Sequence, residues 1–252
     1  MTATIPGSRP AGRAGGAAQS WALLRAFRHE TDDPETFYEM LADATVAQFL
    51  EVTASADLRV LDVGGGPGYL AEALRREGAS CVSLDPSADE LRLHGRSPTE
   101  AVQADGLRLP FPGETFDLCH ASNVLEHVDA PWALLDEMIR VVVPGGLAWC
   151  SFTNWWSPWG GHETSPWHYL GAERALRRYE RRHGHPPKNR FGASLFPVHV
   201  GQVIAWAKSH PDVDLVTAFP RYHPRWARAI VALPGVREVL TWNLSVVLRR
   251  RW

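Results

Sequence analysis

Apolar residues follow two alternating spacings along the chain. In 21–29 and 34–54 they recur at helical intervals, which predicts two amphipathic helices at the start. From residue 58 on, short continuous apolar runs, typical of buried strands, alternate with further helical stretches. Predicted strands cover 58–63, 80–84, 101–103, 116–120, 147–152, 213–219 and 241–248, and predicted helices cover 69–77, 131–143, 172–182 and 200–209. This alternation predicts an α/β fold with a doubly wound, parallel sheet and helices on both of its faces.

The same pattern divides the chain into five parts. A Pro- and Gly-rich flexible tail covers 1–20, N-terminal helices that we expect to act as a lid cover 21–56, a ligand-binding core covers 57–153, an insertion covers 154–199, and a C-terminal part that completes the sheet covers 200–252. The regular alternation stops after residue 153, and residues 154–197 contain four of the eleven tryptophans and four of the eleven histidines. We expect this aromatic insertion to face a second substrate.

The net charge of −2 hides two halves of opposite sign. Residues 1–153 contain 11 arginines and 22 acidic residues, a net of −11, whereas residues 154–252 contain 15 basic and 6 acidic residues, a net of +9. The acidic first half and a pI near 6.6 predict that nucleic acid is not a partner. Apolar runs stay shorter than the roughly 18 residues that a spanning helix needs, and no secretion signal is evident, so we expect a cytoplasmic protein.

Three cysteines, Cys81, Cys119 and Cys150, lie far apart in the sequence, each within a short apolar run. A chain of 252 residues buries enough surface to fold without disulfides. The three residues are therefore predicted to be reduced, structural thiols in buried strands.

A glycine-rich turn follows the first predicted strand. It has the form Asp-x-Gly-x-Gly-x-Gly, with Asp62, Gly64, Gly66 and Gly68. A nicotinamide or flavin fingerprint would place a third glycine at position 69, which is a tyrosine, and a phosphate-binding Gly-Lys-Ser or Gly-Lys-Thr is absent from the sequence. The turn therefore predicts a ligand crevice at the carboxyl edge of the sheet for something other than a dinucleotide.

Two acidic residues follow the next two predicted strands. Asp85 ends the second, where a carboxylate can accept hydrogen bonds from both hydroxyls of a ribose. Asp105, followed by Gly106, lies past the third, where it can accept a hydrogen bond from an adenine amino group. Together with the turn, these donors and acceptors fit an adenosine that has no pyrophosphate.

Residues 58–153 resemble the core of the class I S-adenosylmethionine (SAM) dependent methyltransferases, of the ubiquinone and menaquinone methyltransferase-like group. The motifs that carry the resemblance are VLDVGGGPG at 60–68, Asp85, ADGLRLPF at 104–111 leading to Phe116-Asp117, SNVLEHV at 122–128, and RVVVPGG at 140–146. Gly65 stands where the family often has cysteine or serine. The resemblance implies a Rossmann-like fold of the class I methyltransferase type and SAM as the cofactor.

By that resemblance, the glycines contact the methionine part of SAM, Asp85 the ribose, Asp105 and Gly106 the adenine, and Asn123 the methyl-transfer side. The full set of implied cofactor-binding residues is Asp62, Gly64, Gly65, Gly66, Gly68, Asp85, Pro86, Asp105, Gly106, Asn123 and His127.

Metal binding is not expected from the sequence. Some related enzymes bind a metal with the Glu-His pair of such a segment and an acidic residue before it, but here Asn123 occupies the earlier position. Glu126 and His127 are therefore expected to bind no metal, and His127 to have a helix-capping or cofactor-side structural role. His183 and His185 lack matching ligands at zinc-like spacing.

The acceptor side is predicted to lie in the aromatic segment 155–169, which leaves the carboxyl edge of the sheet in this fold. Methyl transfer requires alignment and, for a neutral alcohol, a general base. We predict His162 or His168 as the base or an acceptor ligand, with Glu163 orienting it and Tyr169 nearby. The alternative is that the tryptophans form a satellite core and that the histidines are structural.

Two basic segments point to an anionic partner. Residues 173–190 have a net charge of +5, which a solvated helix face also explains, and residues 221–252 have a net charge of +6. The second segment also contains Tyr222, Trp226, Trp242 and Trp252, a mixture that suits the headgroup zone of a membrane. We therefore expect peripheral contact with an anionic membrane at its inner face, although Trp242 fits equally well in the packing of the last strand.

Residues 154–248 also resemble a group of mostly uncharacterised methyltransferases from mycolate-making, high-GC bacteria. The segments are GGHE at 160–163, KNRFGASLF at 188–196 and FPRYHPRW at 219–226. This implies an envelope lipid or glycolipid intermediate, methylated on oxygen, as the acceptor. A small soluble acceptor methylated on oxygen, nitrogen or carbon, and a non-catalytic SAM-binding regulatory protein, remain alternatives, and the oligomeric state is not specified.

Overall fold

A computed structural model describes residues 22, 25, 26, 33–53, 57–96 and 98–252. The predicted tail at 1–20 and most of the predicted helix at 21–29 lie outside the described residues.

The centre of the fold is a seven-stranded sheet with strand order β3-β2-β1-β4-β5-β7-β6. The strands are β1 Arg59–Val63, β2 Ser80–Asp85, β3 Ala101–Gln103, β4 Phe116–Ser122, β5 Val142–Thr153, β6 Val213–Pro220 and β7 Asn243–Arg250. Strands β1 to β5 pair in parallel, and β7 runs antiparallel to both β5 and β6. The strand order reverses between β1 and β4, and the crevice outside the carboxyl ends of such strands is where open α/β sheets bind ligands.

Helices cover both faces of this sheet, as a doubly wound fold requires. They are α1 Pro34–Leu50, α2 Tyr69–Arg76, α3 Pro131–Val141, α4 Ala172–His183, α5 Val200–Ser209 and α6 Val236–Leu240. One buried cluster packs α1 and α2 on the sheet through residues such as Phe49 and Leu74, and the other packs α3 and α5 through residues such as Met138 and Val203. Successive residues of a strand belong to opposite clusters, as Val60 and Leu61 do, because their side chains point to opposite faces of the sheet. The predicted fold class is confirmed.

Strand β5 begins five residues before its predicted start. Helix α3 ends at Val141, and the strand begins at Val142. The strand therefore includes Pro144-Gly145-Gly146, a sequence more typical of a turn. Pro144 has no N–H to donate to the Arg140 carbonyl in a longer helix, and the Arg250 guanidinium instead donates to the carbonyls of Arg140 (3.1 Å) and Val142 (2.5 Å). The sequence pattern also missed the short helical segments Arg225–Ala232 and Val236–Leu240, which precede β7.

All three cysteines are buried, unpaired thiols in strands β2, β4 and β5. Burial raises the pKa of each thiol above its ordinary value, so none is a reactive thiolate at neutral pH. Their predicted structural role agrees with this placement.

Candidate active site

The glycine turn is held against the end of β2. The backbone N–H groups of Gly64 and Gly65 both donate to the carbonyl of Leu84, at 2.7 and 3.2 Å. Gly64 has a φ of +71°, and a Cβ there would stand 2.3 Å from a methyl carbon of Val124, so only glycine fits. At Gly66 the nearest atom to such a Cβ would be 3.8 Å away, which leaves room for a ligand against the backbone.

Asp85 lies beside this turn at the end of β2. Its Oδ1 accepts from the backbone N–H of Ser87 at 2.9 Å, and the Gly66 backbone also donates to the carboxylate. Burial raises the pKa of Asp85 above its ordinary value, against the opposing effect of these N–H groups. The next residue, Pro86, is fixed through its carbonyl, which accepts from the side chain of Gln103 at 3.1 Å.

Asp105 and Gly106 follow β3 at the same edge. Asp105 is exposed, and its Oδ1 accepts from the backbone N–H of Leu107 at 2.9 Å. Gly106 is buried, and a Cβ there would come within 3.1 Å of Val63 and 3.2 Å of Leu134. The turn, Asp85 and Asp105 thus lie at the ends of three adjacent strands, an arrangement that fits an adenosine.

Asp62 differs from the other acidic residues because it is buried beneath the turn. Its Oδ1 accepts from Nδ1 of His120 at 2.8 Å, and Phe49 of α1 packs edge-on against this imidazole with ring centroids 5.3 Å apart. A Cβ at Gly65 would stand 2.7 Å from the second carboxylate oxygen. His120 was not predicted from the sequence, although a histidine within an otherwise apolar strand was an available signal.

The chain after β4 begins with a strained residue. Asn123 has a φ of +55°, its backbone N–H donates to Ser151, and its Oδ1 accepts from the side chain of Asn243 at 2.7 Å. His127 follows in the same segment, and its Nδ1 donates to the carbonyl of Ser194 at 2.7 Å. Since a carbonyl can only accept, Nδ1 carries a proton.

Glu126, His127 and His162 form a compact polar group at this edge. Each offers one ligand atom, and the three atoms lie within 4.8 Å of one another. Glu126 is 1% exposed and uses Oε1 to accept from the backbone of Thr153 at 2.7 Å, while its Oε2 and the Nε2 of His162 are buried and have no hydrogen-bond partner within the described part of the chain. Such atoms could bind a metal ion or a polar ligand, an arrangement that the sequence analysis did not expect.

Burial also determines the charge of this group. It raises the pKa of Glu126, and it lowers the pKa of His162 to about 4. His162 is therefore a neutral imidazole at pH 7, with a lone pair available. Its φ of +49° is a conformation that non-glycine residues rarely adopt, and strain of this kind concentrates at functional sites.

The other three predicted acceptor-side residues form hydrogen bonds within the insertion. His168 is buried and donates from Nε2 to the carbonyl of Trp155 at 3.1 Å, and the Tyr169 hydroxyl donates to the carbonyl of Trp156 at 3.0 Å. Glu163 accepts from the side chain of Asn189 at 3.1 Å. Of the four predicted residues, only His162 lies in the group with Glu126.

Further contacts, besides the His127–Ser194 hydrogen bond, hold the insertion over the cofactor edge. The Lys188 ammonium pairs with Glu90, which follows β2, at 3.0 Å, and the backbone N–H of Phe196 donates to the carbonyl of Glu126 at 2.8 Å. The crevice has the glycine turn, Asp85 and Asp105 on one side and the insertion on the other. This arrangement fits SAM in the crevice with a second substrate beside it.

Comparisons with known proteins identify the family of this chain. Residues 61–150 match the model of the methyltransferase domain family. An uncharacterised methyltransferase of Mycolicibacterium gilvum is 48% identical over 243 residues, covering 92% of this chain and 94% of the relative, and one of Mycobacteroides abscessus is 46% identical over 246 residues, with the same coverage. The fold matches the crystal structure of an SAM-dependent methyltransferase from Mesorhizobium loti with a TM-score of 0.55 and 21% identity, over 83% of this chain and 98% of that one. The predicted family, cofactor and enzyme class are thereby confirmed, and the chain belongs to the SAM-dependent methyltransferases.

Proposed function

We propose that this methyltransferase acts on an oxygen of an amphiphilic, anionic acceptor, such as an envelope lipid or glycolipid intermediate. The observation that carries the proposal is the group formed by Glu126, His127 and His162, whose buried, unpartnered atoms can receive a hydroxyl. Buried polar atoms without partners are rare in proteins, so they favour a ligand at this point.

The chemistry needs only a few contributions from the chain. When bound, SAM supplies an electrophilic methyl group on a sulfonium. Neutral His162 would accept the hydroxyl proton on Nε2, which would make the acceptor oxygen nucleophilic enough to attack the methyl group that bound SAM would supply. Glu126 stabilises the imidazolium that results, and the insertion excludes water and holds the acceptor in line.

An apolar surface on the insertion supports an amphiphilic acceptor. Its exposed side chains are Trp156, Trp159, Trp167, Tyr169 and Leu170 of the insertion and Val236, Val239 and Leu240 of α6. The insertion and α6 are joined where the Asn154 side chain donates to the carbonyl of Glu238, and Trp159 packs on Trp242 just after α6, with ring centroids 4.6 Å apart. Exposed apolar surfaces of this kind mark binding sites. The exposure of three of these tryptophans disfavours the alternative in which they form a buried satellite core.

Cations beside this surface support an anionic headgroup. Helix α4 exposes Arg174, Arg177, Arg178, Arg181 and Arg182. The Arg178 guanidinium lies 3.9 Å from the ring centre of Trp167, which brings positive charge to the rim of the apolar surface. Within the described residues, no helix has the length and apolarity to span a membrane, so the proposed membrane contact is peripheral.

The second basic segment, 221–252, contributes less to the proposed binding of an anionic headgroup than its net charge suggests. Within 221–252, Arg221 is buried, and the guanidinium groups of Arg225, Arg250 and Arg251 pair with Glu51, Glu114 and Asp214. Trp226 and Trp252 are exposed, as expected for a membrane-facing role, whereas Trp242 packs against Trp159 and His223. We therefore place the membrane contact on α4 and the apolar surface.

Untargeted labelling tests the proposal. The protein, with SAM labelled in the methyl group, is incubated separately with lipid and polar extracts of a mycolate-making bacterium, and the products are separated and fragmented. We expect labelled methyl ether or ester in the lipid extract, and much less label with H162Q than with H185Q, a control at an exposed histidine. Label only in polar compounds, or on nitrogen or carbon, would contradict the proposal, and absence of transfer to either extract would favour a non-catalytic binding protein. Loss of transfer after chelation, restored by a divalent ion, would assign the three residues to a metal site instead.

A further inference from the structure

Arg221 is a buried arginine directly after β6. The residue is only 7% exposed, and its guanidinium donates hydrogen bonds to three hydroxyl groups. Nη1 donates to Ser122 at 2.5 Å and to Ser151 at 2.8 Å, and Nη2 donates to Thr45 of α1 at 2.8 Å. The charge thus joins α1, β4 and β5 at one place.

This guanidinium lacks a negative partner of its own. Among the described residues, no carboxylate lies within 4.0 Å of it, whereas ten other arginines each pair with one. A guanidinium has five N–H donors, so three hydrogen bonds leave two of them for another group. Hydroxyl dipoles offset only part of the cost of burying a charge, and a bound anion would supply the rest.

The strand register places Arg221 next to the glycine turn. Val63 pairs with Ala121, so Ser122 stands at the level of Gly64 on the neighbouring strand. His120 lies two residues before Ser122 and therefore on the same face of β4, and it carries the hydrogen bond to Asp62. A buried acid and a buried, unpaired arginine thus flank the carboxyl ends of β1 and β4.

We propose that Arg221 and the hydroxyl of Ser122 bind the carboxylate of the methionine part of SAM. That part carries one ammonium and one carboxylate, and the two buried charges match it in sign: Asp62 on the side of the turn and Arg221 on the side of α1. A planar guanidinium with two free donors suits a carboxylate, which accepts two parallel hydrogen bonds. This assignment concerns the cofactor only and does not depend on the acceptor proposed above.

A pair of ligands isolates the carboxylate. S-adenosylhomocysteine carries the amino-acid part, whereas 5′-methylthioadenosine has the same nucleoside and sulfur without it. Calorimetric titration is made with wild type, R221M, R221K and the control R225M, at an arginine that is half exposed and paired with Glu51. We expect R221M to weaken S-adenosylhomocysteine binding about 10- to 100-fold, and R221K by less, because one charged hydrogen-bonded partner is lost or altered. Methylthioadenosine binding should change by less than about twofold, because this ligand has no carboxylate for Arg221 to bind.

Three outcomes would overturn the proposal. Unchanged binding of S-adenosylhomocysteine would assign Arg221 to an anionic acceptor or to a purely structural role. An equal loss for both ligands, with R221M still folded by circular dichroism, would mean that Arg221 supports the whole pocket. If R221M does not fold, R221K keeps the charge, and an unchanged ratio of the two affinities in that variant would contradict the proposal as well.

Discussion

The acidic residues at the strand ends of the core at 57–153 and the polar group at its border with the insertion at 154–199 differ in how their hydrogen bonds are satisfied. In the core, the acidic residues at the strand ends are fixed by backbone N–H groups or, for Asp62, by His120. At the border with the insertion, Glu126 and His162 each retain a buried atom without a partner in the described structure. The core is thus organised in advance for one ligand, while the border with the insertion keeps hydrogen-bonding capacity for a second one.

The largest effect is expected at the turn. Gly64→Ala would place a methyl group 2.3 Å from Val124 at a φ of +71°, so we expect a loss of stability of about 2 to 4 kcal/mol and loss of measurable SAM binding. Gly184→Ala is the matched control, because Gly184 also has a positive φ, +76°, but nothing within 4 Å of its Cβ position. Equal denaturation midpoints for the two variants would show that the close approach to Val124 is not what requires glycine.

A smaller loss, confined to the cofactor, is expected for Asp85→Ala. Removal of a charged acceptor should weaken SAM binding by about 1 to 3 kcal/mol with the fold retained. Calorimetry measures this directly, and Asp89→Ala, also acidic and in the same loop, provides the comparison. Unchanged affinity in Asp85→Ala would remove the ribose assignment, and NADH should show no comparable binding to wild type.

The contribution of His162, at the border with the insertion, to the free energy of unfolding should depend on pH. The pKa of His162 is about 4 in the folded protein and near 6.5 in an unfolded chain, so the unfolded state binds the proton more strongly between these values. The free energy of unfolding should therefore fall as the pH is lowered from about 6.5 towards 4, by on the order of 1 to 3 kcal/mol. Glu126 acts in the opposite direction because burial raises its pKa.

Denaturant titrations of wild type and H162Q at several pH values separate the two residues. The stability difference between the proteins should shrink or reverse as the pH falls, because only wild type carries the depressed imidazole. A difference that stays constant from pH 7 to pH 4.5 would show that His162 is not held neutral by burial.

The smallest effect is expected at the proposed membrane surface. Wild type should co-sediment with vesicles that contain anionic lipid, and the double change R174E/R178E should reduce this, since each surface arginine contributes only about 1 kcal/mol. R76E, at the end of α2 and away from the insertion, is the control. Added salt should weaken the binding by screening. Equal recovery of wild type with neutral and anionic vesicles at low salt would contradict the peripheral contact.

The core could be predicted from the sequence more fully than its border with the insertion. Each cofactor motif is local, so Gly64, Asp85 and Asp105 could be placed from their position after a strand. His120 and Arg221 escaped notice because their meaning depends on residues 58 to 176 positions away, namely Asp62 and Thr45. The predictions for His168, Glu163 and Tyr169 rested on residue type and on where their segment leaves the sheet, and hydrogen bonds within the insertion engage all three.

The most direct test of this division of labour is a paired measurement on H162Q and D85A. SAM affinity by calorimetry and label transfer into lipid extract at saturating SAM are determined for both variants and wild type. The account predicts that H162Q binds SAM as wild type does but transfers label about 100-fold more slowly. It also predicts that D85A binds SAM more weakly and recovers most of its transfer rate when SAM is raised. Weakened SAM binding in H162Q, or full transfer by it, would contradict the assignment of His162 to the acceptor.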